Sequence, residues 1–244
     1  MTRLGLMTLH IGYLSVISLQ TYFCVIPARG GSKRIPNKNI QEVAGIPLIG
    51  HVIKNAIASD VFQGVYVSTD SDEILSVALE FGAEVLRRSS NLSDDYTPTR
   101  PVIADFIEKH PELNTDKSVI ACIYPFAILI DSDLIRLARD NFEALEDKSR
   151  YLAAIQKYPH PIQRSFSLTL EGLLSPSSPG SLEVRTQDLP AKYHDAGQFY
   201  FAKSSTWLSN KSVLANAYGF LIPKYSAVDI DDMEDLEYLR RLYK

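Results

Sequence analysis

Short apolar segments alternate with longer amphipathic segments from residue 23 to residue 156 of this chain. A short apolar run is typical of a buried strand, and apolar residues that recur every three or four positions are typical of a helix. The runs predict strands at 23–26, 65–69, 83–86, 118–124 and 151–156, and helices at 47–59, 70–82, 98–110 and 133–145. This order predicts an α/β fold with a Rossmann-like, mostly parallel sheet and helices on both faces. Ligands of such sheets bind at the carboxyl ends of the strands.

The alternation ends near residue 158, and the rest of the chain is less regular. Residues 158–190 are rich in Pro, Ser and Gly and lack a helical period, which fits an excursion, a hairpin arm or a dimer contact. Strands are predicted again at 196–202 and 218–223, and a closing helix at 231–244. Because no linker or internal repeat marks a second domain, we expect residues 23–244 to form one domain.

The first 20 residues are largely apolar after Arg3. A signal peptide would need a small-residue cleavage site, and no A-x-A-like site occurs in this segment. His10, Ser15 and Ser18 interrupt the apolar run, which is also short for a membrane span. We therefore expect residues 1–22 to be an N-terminal extension outside the folded core.

The whole chain has a net charge of −4. Proteins that bind nucleic acids or membrane surfaces usually carry a strong basic excess, so this charge argues against both partners. Cys24 and Cys122 lie in apolar runs, which is typical of buried, reduced strand residues rather than of a disulfide or a metal pair. We expect a cytoplasmic protein that binds neither nucleic acid nor membrane.

Positive charge is nevertheless concentrated in one segment, VIPARGGSKRIPNKN at residues 25–39. It holds no acidic residue and four cationic ones, Arg29, Lys33, Arg34 and Lys38. A glycine pair follows the predicted strand, where glycine lets backbone N–H groups come close to a ligand. Cationic side chains beside such a loop suit a phosphate. The motifs G-x-x-x-x-G-K-[ST] and G-x-G-x-x-G are both absent, so neither explains this loop.

Acidic residues stand out at two helix starts. Asp70 and Glu73 resemble a capping box at the start of helix 70–82, and Gly82 suits its C-terminal cap. Asp229 and Asp231 lie two positions apart before the closing helix, so on extended backbone they project to the same side. Two carboxylates on one side suit Mg²⁺, which prefers carboxylates together with substrate phosphates. The alternative is that Asp231 caps the closing helix, with Glu234 three residues later.

The segment IPARGGSKRIPNKN resembles the nucleotide-binding signature of the sugar-acid cytidylyltransferases, a family that includes the CMP-sialic acid synthetases. The resemblance continues through VYVSTDSDEI, EVLRRSSNLSDDYTPT, VRTQDLP and VDIDDMEDL, and it covers residues 23–244. Within the family, YPHPIQRSF and YHDAGQFYF are most similar to the branch that uses pseudaminic acid.

This resemblance implies a fold of the nucleotide-diphospho-sugar transferase type. It implies transfer of CMP from CTP to the anomeric hydroxyl of a nine-carbon keto sugar acid, with release of pyrophosphate. It also implies Mg²⁺ as a cofactor and a homodimer, with residues near 158–190 reaching the partner.

The resemblance assigns roles to individual residues. Those expected to contact the nucleotide are Arg29, Gly30, Gly31, Ser32, Lys33, Lys38, Asn39 and Arg88. Those expected to be catalytic are Arg29, Lys38, Asp229 and Asp231, and the two aspartates are the expected metal ligands. Those expected to contact the sugar acid are Arg185, Gln187, His194, Asp195, Gln198 and Tyr200. The resemblance assigns no role to Arg34, for which a surface cation is the alternative, and a surface position is also the alternative for Arg88. For His194 the alternative is a structural pair with Asp195.

One segment departs from the family pattern. The family carries P-T-(A/S)-P after its central strand, whereas this chain reads CIYPFAILIDSDL. Phe126 replaces the threonine and Ile128 replaces the second proline, in a segment that helps to form the family's substrate pocket. Two alternatives stay open: a cytidylyltransferase for another sugar acid (sialic, legionaminic or 3-deoxy-octulosonic), or a catalytically silent nucleotide-binding homologue.

Overall fold

A computed structural model of the chain describes residues 20–94 and 96–243. The strands of these residues are β1 (Thr21–Pro27), β2 (Glu42–Val43), β3 (Ile46–Pro47), β4 (Gly64–Thr69), β5 (Glu84–Arg87), β6 (Ser118–Ile123), β7 (Leu152–Lys157), β8 (Phe166–Leu168), β9 (Leu174–Pro176), β10 (Tyr193–Lys203) and β11 (Tyr218–Leu221). The α-helices are α1 (Leu48–Ala58), α2 (Asp72–Glu80), α3 (Thr99–Lys109), α4 (Ser132–Glu143), α5 (Ser204–Leu208) and α6 (Met233–Leu242).

Seven strands form the main sheet, in the order β11-β7-β10-β6-β1-β4-β5. β10 is antiparallel to its neighbours β6 and β7, and the other pairs of this sheet are parallel. A parallel return would need a crossover connection, usually a helix. The connection from β7 to β10 contains a β-hairpin and short 3-10 turns instead, and the chain returns antiparallel. The mostly parallel α/β sheet predicted from the sequence is confirmed.

Side chains of the central strand β1 pack against helices on both faces of the sheet. Cys24 and Ile26 belong to one buried cluster, with residues of α1, α4 and α6. Val25 belongs to a second cluster, with residues of α3 and α5. This division follows from the alternation of side chains along a strand. It also explains why β1 reads as a continuous apolar run, because both of its faces are covered.

The N-terminal cap of α2 differs from the prediction, and its C-terminal cap does not. Gly82 has the left-handed φ of +89° expected of a C-terminal cap, and its N–H donates to the carbonyl oxygen of Leu79 at 3.1 Å. At the other end, Ser71 caps the helix, and its hydroxyl accepts the N–H of Ile74 at 3.4 Å. The predicted capping box of Asp70 and Glu73 is therefore wrong, because the helix begins one residue later and Asp70 makes a different contact.

The excursion between β7 and β10 contains a hairpin made of β8 and β9. Gly172 forms its turn with a φ of +82°. Several large apolar side chains of the hairpin are exposed: Phe166, Leu168, Leu170, Leu173 and Leu174. Of the three interpretations of residues 158–190, a hairpin arm is the one observed, and a dimer contact stays a prediction.

The N-terminal segment predicted at 1–22 lies mostly outside the described residues. β1 begins at Thr21, two residues before the predicted strand, and the side chain of Tyr22 is buried in the core. Among the helices of the described residues, none has the length and apolar character needed to span a membrane.

The closing helix α6 depends on its buried leucines. Leu236 is 0% exposed and packs in the same cluster as Cys24. We expect Leu236→Ala to lower the free energy of unfolding by about 2–5 kcal/mol, because it removes buried methyl groups and leaves a cavity. Leu79→Ala, at a helix position that is 56% exposed, should change it by about 0.5 kcal/mol or less. Urea unfolding measures both values, and equal losses would contradict the burial of Leu236.

Candidate functional site

The loop that carries the cluster of cations leaves the middle of the sheet at its carboxyl edge. β1 ends at Pro27 and lies between β4 and β6. Asp70 follows β4, Arg88 follows β5 and Tyr124 follows β6. Because these strands are parallel, the residues after them meet at one edge beside the loop.

A cavity of about 480 Å³ opens beside this loop. Its walls come from the loop, the turn after β6, the start of α3 and the segment before α6. Six of the eight residues predicted to contact the nucleotide line it: Arg29, Ser32, Lys33, Lys38, Asn39 and Arg88. Asp231, one of the two predicted metal ligands, lines it as well. The fold thus gathers cations and a carboxylate from both ends of the chain around one opening.

Hydrogen bonds hold the loop backbone at two points. Oδ1 of Asp70 accepts the N–H of Gly30 at 2.8 Å, and Nδ2 of Asn39 donates to the carbonyl oxygen of Arg29 at 2.9 Å. A Cβ atom on Gly30 would lie 2.9 Å from Cβ of Ser71, so a side chain has no space there. The sequence predicts that the glycine pair lets a ligand approach, but the close neighbour of Gly30 is Ser71; Gly31 has open space around it.

Lys38 joins the loop to the segment before α6. Its ammonium group donates to the carbonyl oxygen of Ile230 and lies 4.3 Å from the ring centroid of Phe126. Burial lowers the pKa of Lys38, and the carboxylates of Asp229 and Asp231 oppose this shift. The aromatic face of Phe126 and these two carboxylates favour the charged form of Lys38, whose ammonium group has lost part of its hydration.

The two aspartates before α6 have different surroundings. Burial raises the pKa of the Asp229 carboxyl, and the neighbouring charge of Asp231 raises it further. Oδ1 of Asp231 pairs with the guanidinium of Arg34 at 2.7 Å. A cation bound beside both carboxylates would offset the repulsion that raises the pKa of Asp229.

The cap of α6 does not use the Asp231 side chain. Asp232 is the N-cap, and its Oδ1 accepts the N–H groups of Glu234 at 2.9 Å and Asp235 at 3.1 Å. Asp235 completes the capping box by accepting the N–H of Asp232 at 3.1 Å. The alternative that Asp231 caps this helix with Glu234 is therefore wrong, because the capping box lies one residue later. The carboxylate of Asp231 lines the cavity instead.

Arg88 is buried beside the cavity. Its Nε donates to the hydroxyl of Ser68 at 3.2 Å, and its Nη2 donates to the carbonyl oxygen of Ser68 at 2.7 Å. Burial lowers the pKa of its guanidinium, and the carboxylate of Asp70 opposes this shift. The alternative of a surface arginine is wrong, because Arg88 is only 7% exposed.

None of the six residues predicted to contact the sugar acid lines this cavity. Arg185 and Gln187 are exposed in the excursion, where Arg185 pairs with Asp188 at 2.7 Å. Nδ1 of His194 lies 2.8 Å from the carbonyl oxygen of Asp195, and its ring packs on Tyr158 with centroids 4.8 Å apart.

The remaining members of this set lie on β10. Gln198 is buried and donates to the carbonyl oxygen of Ala196 at 3.0 Å, as a structural amide would. The hydroxyl of Tyr200 donates to Oδ2 of Asp195 at 2.5 Å. Tyr200 also lines a second cavity of about 410 Å³, which shares Thr99 and Tyr124 with the first.

Sequence reasoning missed several residues of the site. Thr99 and Tyr124 join the two cavities, and their hydroxyls lie 2.6 Å apart. Burial raises the pKa of Tyr124 to about 12. Thr99 and Tyr124 lie in segments that carry the family resemblance or depart from it, but only the meeting of β6 and α3 shows that the two residues are neighbours. Phe126 departs from the family pattern in the sequence, but no sequence signal predicts its contact with Lys38.

Comparison with known proteins identifies the family of this chain. A family model described as Cytidylyltransferase matches residues 23–243. The pseudaminic acid cytidylyltransferase of Campylobacter jejuni serotype O:2 is 39% identical over 223 residues, which are 91% of this chain and 95% of that protein. The N-acylneuraminate cytidylyltransferase B of Danio rerio is 34% identical over 214 residues, which are 85% of this chain and 48% of that protein.

Solved structures support the fold. The structure of CMP:2-keto-3-deoxy-manno-octonic acid synthetase complexed with CTP aligns with a TM-score of 0.66 and 17% identity, over 91% of this chain and 98% of that one. A cytidylyltransferase from Leptospira borgpetersenii aligns with a TM-score of 0.56 and 18% identity, over 91% of this chain and 85% of that one. The resemblance seen in the sequence is confirmed, and the chain belongs to the cytidylyltransferase family.

Proposed function

We propose that this protein is an enzyme that transfers CMP from CTP to the anomeric hydroxyl of pseudaminic acid and releases pyrophosphate. The 39% identity to a pseudaminic acid cytidylyltransferase over 91% of the chain carries the choice of reaction and sugar acid. The lining of the 480 Å³ cavity supports it, because arginine and lysine side chains gathered at one opening suit a triphosphate. A cytoplasmic location belongs to the same proposal, since the buried cysteines Cys24 and Cys122 are both unbridged.

In this proposal the loop residues bind and orient the triphosphate. Arg29, Lys33 and Lys38 place positive charge where negative charge develops on the departing pyrophosphate. Asp70 and Asn39 position the loop through its backbone, and a direct contact of Asn39 with the nucleotide stays a prediction. The buried guanidinium of Arg88 adds a cation that water screens little.

We propose Mg²⁺ as the cofactor, held by Asp229 and Asp231. Within the described residues, no cluster of three or more His, Cys, Asp or Glu side chains could hold a metal. A pair of carboxylates still fits, because Mg²⁺ is typically bound by one or two carboxylates together with substrate phosphates. When bound, the ion would neutralise charge on the triphosphate oxygens.

We propose that the sugar acid approaches from the side of Thr99 and Tyr124, where the two cavities meet. Tyr200 supports this direction, because it lines the second cavity and is fixed by its bond to Asp195. Direct contacts with the sugar acid stay predictions for all six residues: Arg185, Gln187, His194, Asp195, Gln198 and Tyr200.

A pyrophosphate-release assay tests the reaction and its sugar. With Mg²⁺ and CTP, the protein should release pyrophosphate with pseudaminic acid at a kcat/KM at least about tenfold above that with N-acetylneuraminic acid. The reason is that a pocket whose polar groups pair with those of one sugar leaves some of its own polar groups unpaired when another sugar binds. A reversed preference would assign another sugar acid. If no nine-carbon sugar acid leads to release of pyrophosphate, the proposed enzymatic activity is wrong.

Removing either acidic charge tests the metal ligands. We expect Asp229→Asn and Asp231→Asn each to lower kcat/KM by at least about a hundredfold, as loss of one charge-stabilising group does in other active sites. Asp140→Asn is the matched control, because Asp140 pairs with Arg139 on α4 and lies outside the cavity. Activity within threefold of the wild type in both site variants would exclude these residues as ligands.

We also propose a homodimer in which the β8–β9 hairpin contacts the partner. An isolated two-stranded hairpin is marginally stable in water, and exposed apolar patches commonly mark interaction surfaces. Leu168, Leu170 and Leu174 supply such a patch here.

Light scattering after gel filtration measures this assembly. We expect the wild type to elute as two chains of 27.3 kDa each, and a variant with Leu168, Leu170 and Leu174 replaced by serine to elute as one chain. Leu79→Ser removes an exposed leucine on α2, away from the hairpin, and should leave the mass unchanged. A wild type that is still monomeric at about 50 to 100 μM would contradict the dimer, because a dissociation constant on that order already describes a weak complex.

A further inference from the structure

Arg34 is the cation of the 25–39 loop to which the family resemblance assigns no role. Its Nη2 lies 2.7 Å from Oδ1 of Asp231, and both residues line the 480 Å³ cavity. The two side chains are 68% and 55% exposed, so the pair lies at the open side of the cavity. A ligand that enters the cavity can therefore reach both partners.

The charges around this pair are arranged in two opposed sets. Arg34 and Lys38 come from the loop, and Asp229 and Asp231 come from the segment before α6. A divalent cation held by Asp231 would bind the same carboxylate that Arg34 pairs with. A guanidinium and a divalent cation repel each other, so they compete for this carboxylate.

We infer that Arg34 exchanges partners during nucleotide binding: it neutralises Asp231 in the free protein and turns to the triphosphate when a divalent cation takes Asp231. This rests on the proposed function for the identity of the nucleotide. An exposed ion pair is weak and breaks readily. A guanidinium also matches phosphate oxygens in a planar, bidentate geometry, so the released side chain gains a better partner.

The exchange has two consequences of opposite sign. Removing the guanidinium frees Asp231, so a divalent cation should bind the nucleotide-free protein more tightly. The same change removes a triphosphate contact, so CTP should bind more weakly. A purely structural ion pair would disturb the loop and weaken both, which separates the two roles.

Calorimetric titration of Arg34→Gln tests this inference. Against the nucleotide-free wild type, we expect Mn²⁺, used as the probe for the divalent site, to bind about two- to fivefold more tightly, the range of an exposed ion pair. CTP, titrated with Mg²⁺ and without sugar acid, should bind about two- to fivefold more weakly. Arg34→Lys retains the charge and should return both affinities toward the wild type.

Arg139→Gln is the matched control. Arg139 pairs with Asp140 at 2.6 Å on α4, outside the cavity, so neither affinity should change. Weaker or unchanged Mn²⁺ binding by Arg34→Gln would overturn the exchange, as would unchanged CTP binding. If the opposite shifts occur and no sugar acid releases pyrophosphate, the exchange is supported and the proposed reaction fails.

Discussion

The functional site depends on contacts between two segments that lie almost 200 residues apart in the chain. Lys38 of the basic loop donates to the carbonyl oxygen of Ile230, and Arg34 pairs with Asp231. Both segments are supported by buried structure, since β1 leads into the loop and α6 follows the acidic segment. The packing of β1 and α6 in one cluster therefore sets the distance between the cations and the carboxylates.

Burial makes these charges costly and also makes them effective. Lys38 and Arg88 have lowered pKa values because they are partly removed from water, and Asp229 has a raised one for the same reason. Each charge is offset by neighbours of opposite sign or by polar partners. A charged ligand that takes the place of these neighbours contacts side chains that are already desolvated and oriented. Preorganised sites stabilise developing charge in this way.

The sequence predicted the architecture well because its signals are local. Strand and helix periods need only a few residues, and the four parallel strands at β6, β1, β4 and β5 follow from their alternation. Errors occurred where two adjacent residues compete for one role. Ser71 caps α2 in place of Asp70, and Asp232 caps α6 in place of Asp231. Adjacent polar residues both satisfy a capping pattern, and the backbone conformation chooses between them.

By itself, the sequence determined the fold class, the position of the basic loop at the carboxyl edge and the family. These follow from periodicity and from a contiguous motif. Only the tertiary structure decided that Asp70 holds Gly30, that Phe126 lies against Lys38 and that Arg34 pairs with Asp231. It also showed that Tyr200 lines a cavity that adjoins the site, whereas Arg185, predicted for the same role, is exposed. The physical reason is that hydrogen bonds and ion pairs act over a few ångströms, and sequence spacing does not specify which distant segments come that close.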